Sequence, residues 1–98
     1  MGKYAIQIFH HSSGKPTKEL KSVIRKVAKD FGTTMDDNKQ SKSLVIEFTD
    51  EFQAKKCLLR VQSEAIGSRG IFSGFVVTGF QYDPERRYLD PDKQFSEY

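Results

Sequence analysis

Residues 43–58 (SLVIEFTDEFQAKKCL) pass without a break from strand periodicity to helix periodicity. Leu44, Ile46 and Phe48 alternate with Ser43, Val45 and Glu47, the two-residue repeat of a strand with one face turned to a core. From Ala54 onward the apolar residues return at three- and four-residue steps, through Cys57, Leu58, Val61 and Ala65, which is the stripe of an amphipathic helix. Thr49 or Asp50 stands at the junction as cap, and Asp50 with Gln53 approximates a capping box. Whatever the chain folds into must hold a half-buried strand that runs straight into a capped helix.

The rest of the chain supplies matching elements. Tyr4, Ile6 and Ile8 alternate with Ala5, Gln7 and Phe9 as a first strand. His10–Lys15 is loop chemistry, after which Pro16 suits a first helical turn, with Thr17 as the alternative cap. Leu20, Val23, Ile24, Val27, Ala28 and Phe31 then predict a helix over 16–31, stopped at Gly32. Residues 33–35 read as a short strand and 36–39 as the turn of a hairpin into 43–48. A second helix is expected over 50–64, broken by Gly67 to Gly70, and a last long strand over 72–82, bent at Gly74 and Gly79. Asp83-Pro84 and Asp90-Pro91 disfavour a further helix.

The expectation is one domain over 1–82 and an extended tail over 83–98, ordered where Tyr88 or Phe95 docks onto the domain's own sheet edge or onto a partner. With 98 residues the chain has the size of a single core, and eight Phe and four Tyr make that core feasible. Ile6, Ile8, Leu20, Ile24, Val27, Leu44, Ile46, Phe48 and Leu58 are its predicted members.

The order β-α-β-β-α-β predicts an α+β, ferredoxin-like arrangement: an antiparallel sheet in strand order 4-1-3-2 with two helices on one face. On this topology the loops 10–15 and 67–70 are expected to be neighbours, with the hairpin and the tail leaving from the opposite edge. Residues 3–82, and best of all residues 45–58, resemble an RNA-recognition-motif domain. That resemblance implies base stacking on outward aromatics of the two central strands. Here the outward positions are Ala5, Gln7, Phe9, Ser43, Val45 and Glu47, among which Phe9 alone is aromatic and Glu47 is acidic.

Charge points elsewhere. Residues 1–31 carry seven Lys or Arg against Glu19 and Asp30, a balance of +5, while 82–98 carry three against five acids, a balance of −2. Lys18, Lys21, Arg25 and Lys29, with Lys26 beside them, recur at three or four residues and predict one basic helix face that can follow a phosphate backbone. His10, His11, Ser12, Ser13, Gly14, Lys15 and Arg69 are expected to meet at one edge, where amides, hydroxyls and cations suit an anion.

Adjacent histidines on a strand end point apart, so no metal site is expected, and Cys57 in the apolar stripe reads as a core residue. No catalytic set and no cofactor motif stand out. No apolar run approaches the ~18–20 residues that span a bilayer, and a single cysteine fits a reducing compartment, so a soluble, cytoplasmic protein is expected.

The reading is a non-enzymatic module that engages nucleic acid or a nucleoprotein complex through basic surface. The rival is a small adaptor or inhibitor of bacterial or phage type. It would bind another protein, or a second copy of itself, through an edge at strand two or four and through the tail aromatics.

Overall fold

The computed structural model describes residues 4–83 and 88–95. In chain order the elements are β1 (Tyr4–His10), α1 (Lys18–Asp30), β2 (Met35–Asn38), β3 (Ser43–Phe48), α2 (Glu51–Gly67), β4 (Phe75–Asp83) and β5 (Tyr88–Phe95). The strands form one antiparallel sheet in the order β2-β3-β1-β4-β5. The class is therefore α+β, with an antiparallel sheet and two helices.

Both helices start at capping side chains. Thr17 Oγ1 accepts from the Leu20 amide at 3.2 Å, so α1 begins after Pro16 and not on it. Asp50 Oδ1 accepts from the Phe52 amide at 3.0 Å and opens α2. At the far end of α1, Gly32 turns left-handed (φ +73°), and the amides of Gly32 and Thr33 bond back to the carbonyls of Lys29 and Ala28, each at 3.0 Å. This is the Schellman closure for which glycine is suited. The second helix runs to Gly67, three residues past the expected end.

β2 lies later in the chain than expected. Asp36, Asp37 and Asn38, read as turn residues, pair with Val45, Leu44 and Ser43 of β3, and the turn occupies 39–42. Asn38 ends the strand and starts the turn at once: its Oδ1 accepts the amides of Gln40 and Ser41, each at 3.1 Å. Lys42 then takes φ +55° to enter β3.

β4 starts at Phe75, because residues 71–74 form turns that bury Phe72 in the core. Residues 88–95, part of the tail in the sequence reading, run as β5 along β4, with a register irregularity between Phe80 and Gln81. Pro91 is tolerable there because an outermost strand has one side without a ladder and irregular pairing spares its missing donor.

The core lies on one face of the sheet. Leu20, Ile24, Val27 and Ala28 of α1 and Ala54, Cys57, Leu58 and Val61 of α2 pack on Ile6, Ile8, Leu44, Ile46 and Phe48. All nine residues expected in the core are buried. Arg60 joins the helices across their outer seam, 3.2 Å from Asp30 of α1 and 3.2 Å from Glu64 one turn on. Among the described residues no helix is long and apolar enough to cross a membrane.

Candidate functional site

The pairings Phe9↔Ser43, Asn38↔Ser43 and His10↔Phe75 bring the end of β1, the β2–β3 turn and the start of β4 to one end of the sheet. The hairpin is thus not at the opposite edge, as the sequence reading had it, because β3 runs antiparallel to β1 and starts where β1 stops. The consequence is a cavity of about 320 Å³ lined by Lys15, Pro16, Lys21, Asp37, Lys39 and Lys42.

Three elements supply its cations. Lys15 comes from the β1–α1 loop just before the Thr17 cap, Lys21 from α1, and Lys39 and Lys42 from the turn that Asn38 shapes. Lys21 Nζ lies 2.9 Å from Asp37 Oδ2, with the two side chains 30% and 26% exposed. That pair ties α1 to the outer strand and removes Lys21 from the open basic face on which it was expected. Among the described residues Lys15, Lys39 and Lys42 form no ion pair. Four lysines against one aspartate leave the cavity walls with a surplus of three positive charges. Lys18, Arg25, Lys26 and Lys29 remain exposed on α1, which leads away from the cavity.

The histidine loop is built differently from the anion cradle expected of it. The His10 ring is wedged between two glycines: a Cβ on Gly14 would lie 2.9 Å from His10 Cγ, and one on Gly74 would overlap the Nε2 end of the ring. His10 Nδ1 accepts the Ser12 amide at 3.0 Å, and Phe75 meets the ring edge-on at a centroid distance of 5.0 Å. The His11 amide bonds to the Gly74 carbonyl at 2.9 Å.

The two histidine rings stack, 4.7 Å apart and 21° from parallel, where the alternation of a regular strand would separate them. The turn at 11–12, closed by the 3.0 Å bond from the Ser13 amide to the His10 carbonyl, breaks that alternation. His10 is thereby a wedge that fixes the loop to the start of β4. Arg69 is exposed in the α2–β4 connection and, among the described residues, makes no ion pair or side-chain hydrogen bond. The loop is joined to Gly74 and Phe75 instead.

On the sheet face away from the helices the register sets Ala5, Gln7 and Phe9 beside Glu47, Val45 and Ser43, and Gln7 and Phe9 also beside Thr78 and Val76. Phe9 is half-buried, and Ser43 is fully buried with its hydroxyl 2.6 Å from that of Ser41. Tyr88 and Phe95 open and close β5, Phe95 pairing with Gly79. β5 also occupies the β4 edge, one of the two edges named for the adaptor reading, and β2 is the outermost strand on the other side.

Cys57 lies against the core with its thiol pushed up to about 12 by burial, an effect that the nearby Arg60 charge only partly opposes. It stays a neutral thiol near neutral pH. The Arg60 guanidinium is shifted further upward, first by its hydrogen bond to Glu64.

Lys39, Lys42 and Asp37 had no part in the sequence-level site. Their spacing shows no helical or strand repeat, and the one clue was that two lysines flank a turn. No protein-family model, no curated protein and no solved structure matches this chain.

Proposed function

We propose that this chain is a ferredoxin-like βαββαβ module, extended by β5, that binds nucleic acid through phosphate contacts and performs no catalysis. The observation that carries this reading is the lysine cavity. Three separate elements converge on it, their charge exceeds what Asp37 offsets, and the exposed cations of α1 continue from it. Lysine ammonium groups on flexible stems suit contacts with successive phosphates and read no base identity. The weak stacking capacity of Ala5, Gln7, Phe9, Ser43, Val45 and Glu47 supports backbone binding over base readout on the sheet.

The test is fluorescence anisotropy with single- and double-stranded oligonucleotides over a salt series, for the parent chain and for Lys15→Gln/Lys39→Gln/Lys42→Gln. Each phosphate contact contributes about 0.9 to the slope of log K against log salt on duplex and about 0.7 on single strands. The triple variant should therefore flatten the slope by about 2.7 or about 2. No measurable binding by the parent chain at low salt, to either form, rejects the reading. An unchanged slope in the variant moves the interface away from the cavity.

A further inference from the structure

Phe52, Leu59 and Ile66 follow each other at seven-residue intervals on α2 and are 55%, 38% and 70% exposed. They lie on the side opposite Ala54, Cys57, Leu58 and Val61, which face the core. Lys56 and Ser63 fill the stripe between them, Lys56 Nζ resting 5.1 Å from the Phe52 ring centroid. Charges on both flanks are already offset within the chain, by Lys55 with Glu51 on one side and Arg60 with Glu64 and Asp30 on the other. A single exposed leucine means nothing. Three large apolar side chains in a row over about 21 Å of helix, with neutralised flanks, have the form of a seam that takes a second helix.

We propose that this seam binds the same seam of a second copy, α2 against α2 antiparallel, about a two-fold axis at Leu59. The sequence of the seam is what selects this occupant and this direction. Phe52 and Ile66 stand seven residues either side of Leu59, so the axis lays each Phe52 against the partner's Ile66 and Leu59 against its equivalent. The axis keeps each side of the seam on that side, so Lys56 lies towards the partner's Ser63 and Lys55 towards its Gln62, and no lysine meets a lysine. Arg69, exposed beyond the C-terminal end of α2, comes to the N-terminal end of the partner helix, where Asp50 and Glu51 are exposed. A parallel pairing would set Lys56 against Lys56 and align the helix dipoles unfavourably. The surface shares no residue with the lysine cavity, and the inference stands apart from the proposed function.

Sedimentation velocity of the full chain from micromolar to near-millimolar concentration tests it. The parent chain should shift from monomer to dimer, and Leu59→Glu or Ile66→Glu should weaken the dimer at least tenfold without changing the far-ultraviolet circular dichroism. Arg69→Glu should also weaken it, and the swap Glu51→Arg/Arg69→Glu should recover it, because each end then pairs in the opposite sense. A monomer at every concentration overturns the proposal and leaves the stripe to a different protein. A dimer indifferent to Ile66→Glu overturns it equally, and failure of the swap to recover association overturns the antiparallel register.

Discussion

Among Gly14, Gly32, Gly67, Gly70 and Gly74, an added methyl group meets the steepest penalty at Gly74, and its size can be worked out in two parts. Gly74 has φ +80°, a conformation that costs an L-residue about 1–2 kcal/mol. The added methyl group would also collide with the Nε2 end of the His10 ring and approach its Cδ2 to 2.9 Å. That ring has little room to retreat. Gly14 is packed on it, Ser12 bonds to its Nδ1 at 3.0 Å, and Phe75 and His11 contact it at centroid distances of 5.0 and 4.7 Å. Overpacking of this kind costs roughly 1–3 kcal/mol, so the total should fall at about 2–5 kcal/mol.

A double-mutant cycle separates the two parts. Once His10→Ala removes the ring, Gly74→Ala should cost only the backbone share, and the cycle should show about 1–3 kcal/mol of coupling. Urea unfolding followed by circular dichroism measures all four proteins, provided that they share one m-value. A Gly74→Ala protein within about 0.5 kcal/mol of the parent would refute the left-handed turn, and additive costs would refute the wedge.

Two further outcomes follow from the core. Ile46→Ala and Leu58→Ala, both at fully buried positions against both helices and the sheet, should each cost about 2–5 kcal/mol in the same urea assay; losses under about 0.5 kcal/mol at both sites would mean that the inward faces are misassigned. For Cys57 the folded-state pKa is raised, from 9.0 to about 12. The neutral thiol's contribution is thus complete below pH 9 and fades as pH climbs towards 12, at up to about 1.4 kcal/mol per pH unit. Cys57→Ala should flatten that part of the stability–pH curve, and an equally steep decline in the variant would place the thiol outside the core. At pH 8 an aromatic disulfide reagent should modify the native thiol only through unfolding.

Much of the fold could be read from periodicity because the two repeats seldom coincide. Tyr4 to Phe9 and Ser43 to Phe48 alternate cleanly, and the stripes Leu20–Ala28 and Ala54–Val61 each fill one side of a helix, so strand faces and core members were legible. Boundaries were weaker wherever pairing overruled composition. Asp36 to Asn38 looks like a turn, yet a ladder with β3 satisfies those backbones as well as any turn could. Residues 88–95 carry no face that could bury itself alone, but β4 offers a row of unpaired amides and carbonyls, and an edge strand needs little more.

The candidate site was hidden for a different reason: it depends on which ends of the strands meet. Lys15 stands more than twenty residues of helix and strand before Lys39 and Lys42, and nothing periodic relates it to them. Antiparallel pairing of β1 with β3 sets the hairpin turn beside the β1–α1 loop, and with that single step two unremarked lysines join the one already noted. The same step changes the part played by Lys21. As a member of a helical stripe it was a phosphate contact; facing Asp37 at 2.9 Å it becomes a tie between α1 and β2. Reversing its charge would set two carboxylates against each other and perturb the fold together with any binding. Among the described residues, the cavity cations that can be neutralised without touching an internal ion pair are Lys15, Lys39 and Lys42, and a loss of binding on their removal is attributable to the cavity itself.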